Sequence, residues 1–267
     1  MTKLKLTKKN YYSHEADIEY MSASQVKSFL NCEAKAKAEL DGTYVRPESS
    51  ALLIGSYIDS YFEGKKSFNE FKKSNPSIFN SRTGELKSEF KKCDEMIARI
   101  ESDPVFMSYM EGHKQTIKTG KLFGVNFKSK FDVYNPKEHR IVDLKTVKDL
   151  SPMYKPGEGR LSPIEYWMWD LQMAIYAAIE GNDLDTFLAI VTKENPSDLA
   201  LVEINKDERD ACMEYLADKI PRFDAIKKGY VEPERCEHCD YCRATRKLTR
   251  PMTMDEMKFD LFIGDAE

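Results

Sequence analysis

Apolar residues recur at helical spacing through the first hundred positions. Ser22 or Ser24 can cap a helix running to about Leu40. A second helix fits Ser50 to Glu63, where Leu53, Ile54, Tyr57, Ile58, Tyr61 and Phe62 share a face. Asn69 to Gly84 is polar and turn-rich, and Glu85 to Glu101 reads as an amphipathic helix. Near His113 the period changes. Leu122, Val125, Phe127, Phe131 and Val133 mix with lysines in near alternation, the pattern of strands. Asn135-Pro136-Lys137-Glu138 is turn chemistry, and Ile141 to Lys145 is a short strand. Ser162, Pro163 and Glu165 form a helix start, and that helix is expected to reach about Glu180. Asp185–Thr192 and Leu199–Ile204 read as strands, and Lys206–Lys228 as a helix kinked at Pro221. The order predicts an α/β core with an N-terminal helical elaboration.

The length of 267 residues allows a proper core, and we expect one domain over 1–267. Its parts are a mainly helical 1–112, a sheet core over 113–205, and a helix, cysteine cluster and polar tail over 206–267. No apolar run approaches a membrane span, and Met1–Asn10 has no apolar core of a secretory signal, so a cytoplasmic protein is expected. The net charge of −4 argues weakly against a protein coated in basic charge. Local bases remain available at Lys114, Lys118, Lys121, Lys128 and Lys130, and at Arg243, Arg246, Lys247 and Arg250. Trp167 and Trp169 are candidates either for stacking on a base or for packing.

The turn at Lys137–Glu138 decides which residues face each other. A symmetric hairpin sets Asp132 opposite Asp143, with Lys145 on the same face. Facing carboxylates repel unless a positive charge lies between them, and a divalent cation with oxygen ligands is the natural partner. A lysine beside that ion can orient water or stabilise charge developing on a phosphoryl group.

Asp132 followed by Asp143-Leu144-Lys145 resembles the PD-(D/E)xK nuclease superfamily, with Phe131 where that family has proline. Gly55 to Glu63 looks like the helix of RecB-type nucleases, Asp59 standing where they carry a metal-binding histidine and Glu63 one turn on. Gln172 and Tyr176 resemble their Q-x-x-x-Y pair. The resemblance covers roughly 22–247 and is closest to phage and prophage RecE-like exonucleases. It implies a restriction-endonuclease-like mixed sheet flanked by helices. It further implies a Mg2+- or Mn2+-dependent deoxyribonuclease, with Asp59, Asp132, Asp143 and the Leu144 carbonyl on the metal. Lys145 would act on the attacking water, and Glu63, Gln172 and Tyr176 on substrate or a second metal. The expected substrate is linear double-stranded DNA in phage-type recombination, with a ring-shaped homo-oligomer and a single-strand annealing protein as partners. A related endonuclease, or a non-cutting protein of this fold that binds DNA or a partner, is the alternative.

Six cysteines stand at 32, 93, 212, 236, 239 and 242. Three within seven residues suggest metal or cluster ligation. Ser22 to Cys32 resembles the N-terminal segment of cluster-bearing RecB-family nucleases, which implies a [4Fe-4S] cluster on Cys32, Cys236, Cys239 and Cys242. Thr245 stands where that pattern has its last cysteine. Zn2+ on four thiolates, or on three with His238, is the competing reading, and unliganded cysteines the third. Cys93 and Cys212 are expected in the core.

Overall fold

The turn at 135–138 sets the register of the hairpin as expected. Val133 pairs with Val142, Tyr134 with Ile141 and Asn135 with Arg140. The computed structural model describes residues 4–47, 49–181, 183–248, 250–251 and 253–255. Most of the tail expected beyond the cysteines lies outside them, as do residues 1–3.

Seven helices precede the sheet: α1 (His14–Glu19), α2 (Ala23–Asn31), α3 (Glu33–Leu40), α4 (Ser50–Glu63), α5 (Lys65–Ser74), α6 (Ser88–Glu101) and α7 (Pro104–Tyr109). Strands β1 (His113–Leu122), β2 (Val125–Asn135) and β3 (Arg140–Val147) follow, then a small hairpin of β4 (Met153–Lys155) and β5 (Gly159–Leu161). Helices α8 (Pro163–Tyr166) and α9 (Trp169–Glu180) lead to β6 (Asp185–Thr192) and β7 (Leu199–Ile204). Helices α10 (Lys206–Leu216), α11 (Lys219–Lys227) and α12 (Asp240–Thr245) close the order.

The main sheet runs β1-β2-β3-β6-β7. Only the β3–β6 pair is parallel, so the sheet is mixed. It is a restriction-endonuclease-like α/β arrangement. Strand alternation feeds two apolar layers. Val133, Val142, Leu144, Ala189 and Val191 pack with α4 and α6. Ile141, Leu188 and Ile190 pack with α2, α9 and α11 on the other face. Each fully buried Val, Leu or Ile contributes about 1.5–3 kcal/mol. That offsets the cost of seating charged Asp143 and Lys145 among them.

Several elements differ from the periodicity. The helix expected over 22–40 is two, because Cys32 ends α2 and caps α3, its sulfur accepting from Lys35 N–H at 3.4 Å. The stretch 69–84, expected as turns, begins inside α5, whose Phe68 and Phe71 pack on Tyr57. The helix expected from Pro163 breaks at Met168, which takes a left-handed φ of 51°. The C-terminal helix divides just before Pro221, which sits in the first turn of α11, where its missing N–H costs nothing.

Gly55 lies inside α4 with helical backbone, and a Cβ there would meet only Thr146 Oγ1 at 3.7 Å. Gly55→Ala is therefore expected to stabilise the chain by about 0.5–1 kcal/mol, a rise in Tm of roughly 2–4 °C in thermal denaturation. A fall in Tm would show that the glycine answers a close contact.

Candidate active site

β2 does not follow β3 along its whole length. Regular pairing ends at Val133–Val142, and beyond it Leu144 N–H donates to Asp132 Oδ2 at 3.0 Å instead of to a strand carbonyl. Across Asp132 the strand changes face. Phe131 packs on Tyr176 of α9, whereas Val133 joins the layer under α4. Farther along, Met21 takes the place of β3 against β2, through Met21 N–H to Asn126 O at 2.8 Å and Lys128 N–H to Met21 O at 2.9 Å.

A cleft of about 870 Å3 opens at this parting. It is lined by Asp132 from β2, Asp143, Leu144 and Lys145 from β3, Asp59 and Glu63 from α4, and Gln172 and Tyr176 from α9. Asp143 accepts from Gln172 Nε2 at 2.8 Å and is ion-paired with Lys145. Gln172 Nε2 also donates to Tyr176 Oη at 3.0 Å, and Tyr176 in turn donates to the Lys130 carbonyl at 3.4 Å. Glu63 stands at the rim, held by Lys8 and by the Ser67 hydroxyl, both at 2.7 Å. Asp59 receives no side-chain hydrogen bond from any described residue. The three aspartate carboxylates are less tightly gathered than the four sulfurs described below.

Two groups here escaped the sequence reading. Lys27 of α2 donates to Gln172 Oε1 at 2.7 Å, sharing that oxygen with Lys145 at 3.4 Å. Gln115 of β1, at a left-handed φ of 53°, donates to Asp132 Oδ1 at 3.0 Å. Lys27 lies in the Ser22–Cys32 stretch, which drew notice only for its cysteine. Gln115 has no sequence signal.

Burial and mutual repulsion set the charge state. Burial, and then the charge of Asp143, push Asp132 up to about 7, against Lys145 and the two hydrogen bonds it accepts. Burial and the charge of Asp132 raise Asp59 well above the carboxylate range. Burial opposes the charge on Lys145, but Asp143 and Asp132 outweigh it, so its pKa rises and the ammonium persists. Lys27, buried and next to Lys145, is lowered to about 7. Several buried carboxylates with one persistent ammonium leave an uncompensated negative charge, which a divalent cation fits.

The candidate phosphate contacts separate. Lys128 is 1 % exposed and serves the fold, bonded to Tyr11 O at 2.5 Å and Asp17 at 2.7 Å. Lys130 lines the cleft with its ammonium 4.6 Å from the centre of the Tyr12 ring. Lys114 bonds the Met110 carbonyl and Lys118 the Tyr134 hydroxyl. Arg243 and Arg246 pair with Asp240 and Glu237. The tryptophans also part: Trp169 is 7 % exposed in the core, and Trp167 is 47 % exposed.

A second centre joins the ends of the chain. The sulfurs of Cys32, Cys236, Cys239 and Cys242 all lie within 4.8 Å of one another, a four-thiolate site able to hold a metal. Cys32 and Cys242 are 3.6 Å apart, and Cys236 and Cys242 4.0 Å. Exposed His238 is outside the group. Backbone N–H groups of residues 35, 239 and 242 point at Cys32, Cys236 and Cys239. Burial raises the Cys236 pKa, but the N–H groups of Cys239 and His238 outweigh it and bring the thiol down to about 7. Cys93 and Cys212 lie apart from this group, and burial pushes both up to about 12.

Residues 22–245 match the family described as a PDDEXK-like domain of unknown function, DUF3799. The chain belongs to this family. The DUF3799 match takes in both the cleft carboxylates and all four clustered cysteines. A crystal structure from Eubacterium rectale, described as a "Putative exonuclease", is 40% identical with a TM-score of 0.88, covering 95% of this chain and 98% of that one. The structure of SSO0001 aligns at 17% identity over 82% of this chain and 96% of that one, with a TM-score of 0.30 that carries no argument. No curated protein matches. Among the described residues no helix is long and apolar enough to cross a membrane. The DUF3799 chain is thus a PD-(D/E)xK-like nuclease-fold protein related to the Eubacterium rectale one.

Proposed function

We propose that this protein is a divalent-metal-dependent deoxyribonuclease, an exonuclease acting on ends of linear double-stranded DNA. The observation that carries the reading is the meeting of Asp59, Asp132, Asp143, Lys145 and Gln172, from four separate elements, in one cleft. The relative described as a "Putative exonuclease" supports the exonuclease form. In this reading residues 1–267 act as one nuclease domain in the cytoplasm. The RecE-like assignment, a phage-type recombination role, a ring-shaped oligomer and an annealing partner belong to the same proposal, by resemblance.

Asp59, Asp132, Asp143 and the Leu144 carbonyl would hold Mg2+ or Mn2+. Such an ion lowers the pKa of bound water and neutralises phosphoryl charge. Gln172 fixes the Asp143 carboxylate through Nε2 and, through Oε1, the two lysines. Lys145 keeps its proton, so it serves as a positive charge for the non-bridging phosphate oxygens rather than as a base. Tyr176 holds Gln172 against the Lys130 carbonyl. Glu63, already engaged by Lys8, borders the substrate side.

The test is digestion of end-labelled linear duplex with and without Mg2+. Progressive loss of label and mononucleotide release support the proposal. Cutting of closed circles would make the protein an endonuclease, and DNA binding without any cutting would make it a binding module.

The proton on Asp132 links metal binding to pH. The folded pKa of about 7 lies above the unfolded value, so metal must displace that proton below pH 7. Mn2+ affinity in titration calorimetry is expected to be about tenfold weaker at about pH 6 than at about pH 8. Affinity independent of pH would remove Asp132 from the ligand set.

For the cysteines, the sulfur separations favour a single four-coordinate ion such as Zn2+. Metal–sulfur bonds of about 2.3 Å put tetrahedral sulfurs about 3.8 Å apart. A [4Fe-4S] cubane spreads its thiolates over four irons.

A further inference from the structure

A second groove, of about 560 Å3, continues from the catalytic cleft. The two share Ser24, and Lys27 connects them, lining the groove while bonded to Gln172 inside the cleft. The groove runs between α2–α3 and the break separating α8 from α9, where Trp167 forms one wall. That break is built to show an indole. Met168 in the left-handed region halts the helix, its neighbour Trp169 turns into the core, and Trp167 stays 47 % exposed. The Tyr166 ring buttresses Trp167 edge-on at 5.0 Å. A left-handed methionine costs about 1–3 kcal/mol, and such strain persists where the surroundings hold it.

The charges along the groove suit a polyanion. Arg46 is balanced by Glu39 and Lys155 by Glu158. Lys27 and Lys35 have no carboxylate partner among the described residues. Lys27 bonds an amide and Lys35 sits 5.5 Å from the Tyr44 ring centre. Two spare cations in line with an exposed indole form the combination that grips an unpaired strand: phosphates on ammonium groups, a base on an aromatic face. A duplex offers no free base face to the indole, because its bases are stacked on each other.

We infer that this groove holds unpaired nucleotides of the strand being cut, on one side of the scissile phosphate, with Trp167 stacking on a base and Lys27 and Lys35 contacting the backbone. The inference rests on the nuclease reading of the cleft and assigns that reading a single-strand subsite.

The chain has two tryptophans, of which Trp167 alone is substantially exposed, so the experiment is optical. Full-length protein is titrated with fluorescein-labelled oligothymidylate in buffer without added divalent cation, following both anisotropy and tryptophan emission. Binding that quenches emission in the wild type, without quenching in Trp167→Phe, is expected. Affinity should fall about tenfold in Trp167→Ala, as for the loss of one stacked base. Lys35→Glu, on an exposed helix face, should weaken binding and flatten its salt dependence. Binding without quenching, or unchanged affinity in both variants, overturns the inference, as does no binding at all. Digestion of linear duplex by the same preparation separates the two readings. Cutting without quenching sinks the groove alone; quenching without cutting leaves a strand-binding groove and sinks the nuclease.

Discussion

Asp132→Asn is expected to abolish Mg2+-dependent digestion of linear duplex DNA while making the metal-free protein more stable. The loss should be at least about a thousandfold, since the substitution removes a proposed metal ligand and its charge from the reacting centre. The gain in stability follows from the electrostatics. A buried acid whose pKa is raised to about 7 favours folding while protonated, and that contribution is lost as pH rises through 7. Asparagine is neutral throughout, so without metal the variant should melt higher than the wild type at about pH 8 and little differently at about pH 6. Asn Oδ1 can still accept from Leu144 N–H, so the β2–β3 junction survives. Lys145→Ala should lose activity comparably but melt lower, because it leaves the Asp143 carboxylate buried without its partner. Undiminished digestion by either variant would sink the mechanism. A lower melting point for Asp132→Asn at the higher pH would sink the electrostatic account alone.

The split between those two variants reflects what local sequence can encode. Asp132, Asp143 and Lys145 could be aligned beforehand because a strand has period two and the turn at 135–138 fixes the register. Asp59 and Glu63, like Gln172 and Tyr176, could be paired because residues four apart share a helix face. Helix–sheet docking is not written in any period. Lys27 reaches Gln172 across 145 residues, because α2 lies on α9. Gln115 serves Asp132 only through a left-handed backbone, at a residue type without special preference for it. Trp167 and Trp169, two apart, looked equivalent until the left-handed Met168 sent one to the core and the other to solvent. The change of face between Phe131 and Val133 likewise breaks alternation where β2 leaves β3, and it is there that the cleft opens. Departures from periodicity thus gather at the candidate site, as expected where strain is retained for function.

Cys242→Ser is expected to release the metal from the four-thiolate site and lower Tm by roughly 10 °C, without unfolding the chain at room temperature. A ligand held a thousandfold above its Kd contributes about 4 kcal/mol, and in a domain this size 1 kcal/mol moves Tm by about 2–4 °C. The site spans 210 residues of sequence between Cys32 and Cys242, so metal there fastens α3 to α12 and restrains a long loop. The variant should still fold because a second fastening lies beside it. Arg222 grips Glu33 in a fork at 2.7 and 2.8 Å, and Glu33 accepts from Glu234 N–H at 2.8 Å. Differential scanning fluorimetry with metal analysis by mass spectrometry of anaerobically purified protein is the measurement. About one zinc per chain, no visible absorbance and the lower Tm in the variant are the expected results. A brown protein carrying four irons would overturn the single-ion reading and restore the [4Fe-4S] cluster that the resemblance implies. Metal-free wild type melting with the variant would mean that the thiols only pack. Because Cys32 also caps α3, and because that helix and the end of α2 line the Trp167 groove, loss of metal should weaken single-strand binding before it affects Asp143 and Lys145, which β3 holds independently.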